Sequence, residues 1–487
     1  MDSSASSGGG GPDRLQTILA QAKRDRARLN SSAMGAFSLT TLGIASVVGA
    51  GIFVTTGTAA AKYAGPGIAI SFILAGIAAA LTAVCYAELA AMIPIAGSTY
   101  SYSYAAFGSF VAWFIGWDLL LEYLFAASTV AVGWSGYAVS FAGSFGIQFP
   151  HDLAQPPFGE GGILNLPAIA IVAATTALLV IGMRQSARAN DSMVILKVGI
   201  LVLFVVVGLT YIAPENLDPF VPPNEGGFGE FGLSGIVRGA GVLFFAYVGF
   251  DAVSTAAAEA RNPQRTIPIG LLATVAISTA LYIAIGLTLT GLVPYTDLNV
   301  ADPISRALEA AGSGAHWLDN AVDVAAVVGL ASTVLVTLYG QTRILMRMSE
   351  DGMLPRAFAA VSERLRTPTF TTVLCGVLAA IVAGLVPIDV LGELVSIGTL
   401  LAFLLVCAGV LVLRRTHPDV ERPFRVPRVR LVAGLGAASA LALIATLPLE
   451  TLLRLVIWMA IGVVIYFAYA RRHSRSRFAE LAAEADG

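Results

Sequence analysis

Three titratable side chains lie where an apolar sequence should not hold them. Lys197 sits inside Asn190-Asp191-Ser192-Met193-Val194-Ile195-Leu196-Lys197-Val198-Gly199, and Glu122 follows Asp118 by four residues inside another apolar run. That spacing puts the two carboxylates on one face of a helix. A charge placed deep in lipid is costly, so such residues normally face the protein interior or a cavity and often mark an ion or proton path. A lysine held there can release and regain a proton, and Glu122 can balance it, titrate with it or lie beside a bound cation. The plainer alternative for Lys197 is a side chain that snorkels to the membrane surface. Asp118 reads as structural, and Glu88, Asp251 and Glu393 read as hydrogen-bond partners of helix ends or neighbouring spans.

A second kind of chemistry belongs to the backbone. Val47-Val48-Gly49-Ala50-Gly51-Ile52-Phe53 places two glycines in the middle of an apolar run, each costing a helix about 1 kcal/mol relative to alanine. An unwound turn there would offer the amides of Gly49, Ala50 and Gly51 to an anion at the start of the next half-helix. Close helix packing through small residues is the alternative. Phe245-Ala246-Tyr247-Val248-Gly249-Phe250-Asp251 holds a matching glycine, Gly249. Ser332, Thr333 and Thr337 add hydroxyls on one later span, although such groups commonly bond back to their own helix.

Catalysis lacks its parts. Gly133-Trp134-Ser135-Gly136 resembles the serine motif of intramembrane proteases, but a serine nucleophile needs a base, and His151, His316, His417 and His473 fall in loops, a tail or the edge of a span. Cys85, Cys375 and Cys407 lack zinc-site spacing and read as small core residues. No cofactor and no metal is implied, and the chain does not read as an enzyme.

The elements that must position these residues are membrane helices. Of 487 residues, 56% are hydrophobic and 12% charged, with a mean hydropathy of +0.79, against about 25% charged in a soluble protein. Runs long enough to cross a bilayer fall near 36 to 61, 66 to 93, 104 to 145, 167 to 183, 190 to 213, 235 to 258, 267 to 292, 317 to 348, 369 to 386, 389 to 413, 430 to 449 and 451 to 470. The third is expected as one tilted helix. The N-terminus lacks the order of a cleaved signal peptide, so the first run is expected to be retained. The tails and alternate loops hold 23 of the 29 Lys and Arg residues, whereas loops 146–166 and 214–234 hold none. By the positive-inside rule, both termini are cytoplasmic, in a multi-pass protein of the plasma or inner membrane. A net charge of −2 gives no support to nucleic-acid binding.

The first ten spans divide into two groups of five, 34–213 and 235–413, which an odd span count places in opposite orientations, as in transporters with inverted repeats. Segment 214–234 is the extracellular loop between them. Spans eleven and twelve occupy 414–470, and tails 1–33 and 471–487 are polar or basic.

Several motifs in order then carry a resemblance. Gly43-Ile44 through Gly49-Ala50-Gly51-Ile52-Phe53, Cys85-Tyr86-Ala87-Glu88-Leu89-Ala90, Pro94 with Gly97-Ser98-Thr99-Tyr100, Trp117-Asp118 with Glu122-Tyr123, Phe244 to Asp251, and Gly340-Gln341-Thr342-Arg343 with Glu350-Asp351-Gly352 resemble the cationic amino acid transporter branch of the amino acid, polyamine and organocation superfamily. Ala45 departs from it, standing where the family often has glycine. The resemblance implies an all-α integral membrane protein with 12 transmembrane helices, built as a LeuT-type 5+5 inverted repeat with broken helices one and six plus two peripheral helices. It further implies an L-amino acid whose carboxylate meets Gly49, Ala50 and Gly51 beside Val47, and whose amine meets carbonyls near Phe245, Ala246, Val248 and Gly249. Phe245 would be the gate, with Glu122 and Thr337 near the side chain. By the same likeness Lys197 fills the cavity that sodium-coupled relatives give to a metal ion, bordered by Ser332 and Thr333. The expected function is proton-coupled import of cationic or small neutral L-amino acids. An exchanger, a sodium-coupled symporter or a non-transporting amino acid sensor stand as alternatives, and any accessory subunit is unspecified.

Overall fold

The computed structural model describes residues 34–93, 98–158, 161–182, 187–255, 260–312 and 316–473. The readings placed on 1–33, Pro94, Gly97, Glu160, Arg184 and 474–487 lie outside them. The described residues form helices and contain no strand. That follows from the composition: in a lipid environment the backbone must satisfy its own polar groups, and a helix does so within one segment.

In chain order the helices are α1 (Ala36–Val47), the composite α2 (residues 51–64), α3 (Ile68–Met92), α4 (Ser98–Phe107), α5 (Ser109–Ser144), α6 (Leu166–Ile181), α7 (Ala187–Gly208), α8 (Gly232–Leu243), α9 (Ala252–Thr255), α10 (Pro263–Leu292), α11 (Pro303–Ala310), α12 (His316–Glu350), α13 (Thr369–Leu385), α14 (Ile388–Thr416), α15 (Val429–Thr446) and α16 (Leu449–Ile465). Among the described residues, eight helical stretches are long and apolar enough to cross a membrane. Four shorter apolar helices, Ala36–Val47, Leu166–Ile181, Ser192–Gly208 and Thr369–Leu385, accompany them.

The third span needs a correction. Residues 104 to 145 are not one helix, because α4 ends at Phe107 and α5 starts at Ser109. The joint is Gly108, at φ +87°, a backbone state that a side chain would resist.

α5 and α12 pack along each other at the centre, α10 lies against α1 and α3, and α14 lies against α5 and α15. α16 is fastened to α5 by tryptophans. The Trp117 and Trp458 rings stack at 4.6 Å, and each indole donates to the other residue's carbonyl, at 2.8 and 3.0 Å. Each indole N–H thereby finds an acceptor within an apolar contact. Many leucine, isoleucine, valine and phenylalanine side chains of these helices are exposed, as a surface that meets lipid requires.

Candidate functional site

Helical structure is interrupted in the first span and again in the sixth, and the interruptions touch. α1 ends at Val47, Val48 leaves the helical region (φ −77°, ψ 87°), and a π-helical turn resumes at Gly51. α8 gives way to a 3-10 turn, Phe244–Tyr247, after which Val248 is extended (ψ 134°) and Gly249 has φ +102°. A Cβ on Gly51 would lie 2.3 Å from the Ala246 Cα, and one on Gly249 would lie 2.9 Å from the Ser46 carbonyl oxygen. Glycine is therefore required for contact between the two backbones. The amides at Gly49, Ala50 and Gly51 head a helical turn, where the first N–H groups have no acceptor within the helix.

Two hydroxyls that sequence reading passed over hold this junction. Tyr282 of α10 is fully buried, and its hydroxyl lies 3.0 Å from both the Val47 and Ala246 carbonyls. Ser396 of α14 donates to the Val242 carbonyl at 2.7 Å and accepts from the Phe245 amide at 3.1 Å. Neither residue carries a local signal, because every partner lies on another element, 36 positions away for Ala246 and more than a hundred for the others.

Lys197 reaches the same place from α7. Its side chain is 3% exposed, and its Nζ donates to Thr333 Oγ1 at 2.8 Å and to the Val48 carbonyl at 3.3 Å. Thr333 in turn donates to the Gly329 carbonyl at 3.1 Å. A side chain at Gly329 would meet the Lys197 Cε at 2.8 Å, so the missing side chain on α12 makes the lysine's channel. The Thr333 methyl also lies 3.3 Å from where a Gly49 Cβ would stand. The Lys197 amine thus rests between a carbonyl of the interrupted first span and a hydroxyl of α12, inside the protein and not at its surface.

The other sequence candidates are placed differently. Ser332 donates back to Gly329 at 2.8 Å and Thr337 back to the Thr333 carbonyl at 2.8 Å, the bonding habit of hydroxyls within membrane helices. Glu122 and Asp118 are buried on α5 and face α14, where both lie against Gly398. No ion pair joins Glu122 to Lys197 among the described residues; Glu122 Oε2 and both Asp118 carboxyl oxygens have no hydrogen-bond partner. Ser135 donates to Asn165 Oδ1 at 2.7 Å, and that oxygen also accepts from the Ala168 amide at the start of α6, so the protease-like serine is a helix-end brace. No group of three or more His, Cys, Asp or Glu suited to a metal occurs among the described residues.

Near the composite α2 and the start of α14 lies a cluster of polar contacts. Lys62 pairs with Asp389 at 2.5 Å, and Glu393 accepts from Tyr63 at 2.9 Å and from Thr451 at 2.5 Å. Tyr63, Asp389 and Glu393 line, with Thr55 and others, a cavity of about 10 Å³, at the lower limit for one water.

Long apolar helices around two touching backbone breaks, with a buried lysine beside them, are the architecture of a membrane protein with an internal polar site. The chain belongs to the amino acid permease family, whose model matches residues 34–469. It is 44% identical to the methylthioribose transporter of Bacillus subtilis over 94% of this chain and 97% of that protein. It is 43% identical to the branched-chain amino acid permease BcaP of the same organism over 91% and 94%. It is 38% identical to the vacuolar cationic amino acid transporter 4 of Arabidopsis thaliana over 82% and 66%. These relatives are transporters, and the chain is accordingly a membrane transporter of that family and not an enzyme.

Proposed function

We propose that this permease imports an L-amino acid together with a proton, by alternating access around the two interrupted spans. The observation that carries the reading is the Lys197 ammonium bridging the Val48 carbonyl and Thr333. When charged, Lys197 holds the interrupted first span against α12. Loss of its proton removes the charge-assisted part of both contacts and frees that span to move. In this account the ammonium serves where a bound metal ion would otherwise join the same elements.

The substrate carboxylate is assigned to the amides of Gly49, Ala50 and Gly51, and the amine to carbonyls around Phe245 and Ala246, with Phe245 covering the ligand. Val47, Val248 and Gly249 flank those positions. Glu122, Asp118 and Thr337 lie outside the bridge, and Glu122 is kept as a second proton group facing α14. Twelve spans in a 5+5 inverted repeat of the LeuT type, divided at 34–213 and 235–413, with 414–470 peripheral and both termini cytoplasmic, complete the proposed architecture.

The substrate class is cationic or small neutral L-amino acids. The relatives named for branched-chain and cationic amino acids support it, and the relative named for methylthioribose favours a second reading, a neutral thiosugar. The two differ chemically, since only an amino acid offers the paired carboxylate and ammonium that the two breaks accommodate. Counterflow into proteoliposomes with leucine, arginine, alanine and methylthioribose separates them. Exchange of one or more amino acids, blocked by methylation of the carboxylate, is expected. Exchange of methylthioribose alone would overturn the amino acid reading.

A further inference from the structure

Away from the transport path, α6, α12 and the segment after α12 enclose a cavity of about 180 Å³ lined by Leu179, Tyr339, Arg343, Leu365, Arg366 and Thr367 among others, with no carboxylate in its wall. That is several times the ~30 Å³ share of a water molecule. Its two arginines come from different elements. Arg343 lies on α12 with its guanidinium 4.8 Å from the Tyr339 ring centre, and its recorded polar contact is the Met346 sulfur at 3.9 Å. Arg366 sits at φ +53° where the chain turns back towards α13. Neither forms an ion pair among the described residues, although other arginines of this face, Arg347 and Arg414, do. Thr367 fixes the floor by donating to the Val180 carbonyl at 2.9 Å near the end of α6.

The rim is apolar. Tyr339 of α12 and Leu365 of the turn before α13 line it and are exposed, and Phe370 and Val373, close by in the chain at the start of α13, are exposed as well. The cavity lies at the arginine-rich ends of α6, α12 and α13, the side the positive-inside rule assigns to the cytoplasm. Two unpaired guanidiniums above an apolar rim complement one ligand: a phosphodiester headgroup with its acyl chains against the rim. Basic pockets between helices on this membrane face are suited to such headgroups, and guanidinium matches phosphate oxygens with paired donors.

We propose that Arg343 and Arg366 bind the headgroup of an anionic phospholipid of the inner leaflet, which thereby ties α12 to the α6 end. The site is independent of the transport reading, because none of its residues belongs to the Lys197 bridge or to the two breaks.

Thermal unfolding of the full-length, delipidated protein in detergent tests it, with titration by dioleoyl phosphatidylglycerol, dioleoyl phosphatidylcholine or inorganic phosphate. Phosphatidylglycerol is expected to raise the midpoint saturably and phosphatidylcholine to leave it in place. R343Q/R366Q is expected to raise the half-saturating phosphatidylglycerol concentration at least tenfold, while R356Q, an exposed charge elsewhere on this face, leaves it unchanged. Should the double variant lack a cooperative transition, R366Q alone is expected to give at least a threefold weakening. Equal protection by both lipids, or phosphatidylglycerol protection that survives these substitutions, would overturn the proposal. Equal protection by millimolar inorganic phosphate, lost in the same variants, would show a free-oxyanion site and overturn the lipid assignment.

Discussion

At the scale of the residue, Lys197 and Gly51 carry the most specific consequences. Lys197 donates to groups on the interrupted first span and on α12, so removing it should uncouple the proton and leave the two breaks standing. Lys197→Ala is expected to retain exchange of substrate between internal and external pools and to lose at least nine-tenths of its pH-gradient-driven uptake. Unchanged gradient-driven uptake would remove the lysine from the mechanism. Gly51 supplies a steric test, since a Cβ there would strike the Ala246 backbone whereas one on Gly199 would meet nothing within 4 Å. Gly51→Val should destabilise by about 1–3 kcal/mol through overpacking and abolish uptake, and Gly199→Ala should do neither; equal uptake by the two variants would show that the breaks need not touch. Lys197 and the glycines were legible because a charge or a paired glycine stands out in an apolar run. Tyr282, Ser396 and Gly329 were not, since a hydroxyl or a missing side chain in such a run takes its meaning from a partner the sequence does not place beside it.

At the scale of the element, charge is used to end helices as well as to bind. Glu88 of α3 accepts from Arg414 at 2.9 and 2.5 Å and from the Val426 amide at 2.7 Å, with the Arg422 Nε 3.4 Å away. Arg422 also donates to the carbonyls of Leu413, His417, Pro418 and Val420, closing the last turn of α14 over α3. Burial draws the Arg422 guanidinium below its ordinary pKa, while neighbouring Glu88 pulls it up. Arg422→Met leaves those carbonyls without a donor and Glu88 with one cation fewer, and a loss of about 3–5 kcal/mol is expected for such a broken buried pair. Denaturant unfolding in detergent reads it, with Glu88→Gln/Arg422→Met expected to recover part of the loss. A midpoint unchanged in Arg422→Met would remove Arg422 from the helix end. The sequence marked Glu88 as a hydrogen-bonding acid without naming its partners, which lie more than three hundred residues away. It also ran the third span straight through Gly108, since one glycine between two apolar stretches does not announce a positive φ.

At the scale of the molecule, the apolar runs and the asymmetric arginines made a membrane-spanning, all-helical chain readable before any coordinates, because lipid leaves the backbone few alternatives. What joins the helices was much less readable: the Trp117–Trp458 stack, the Lys62–Asp389 pair and the Tyr282 bridge each link distant segments. The central claim concerns the whole molecule, that a fixed ammonium stands in for a metal ion and makes the proton the coupling ion. Uptake of the labelled amino acids that exchange in counterflow, into proteoliposomes under an inward proton gradient and separately under an inward sodium gradient, tests it most directly. Concentrative accumulation with the proton gradient alone is the predicted result. Accumulation that requires sodium, or exchange with no accumulation under either gradient, would contradict it.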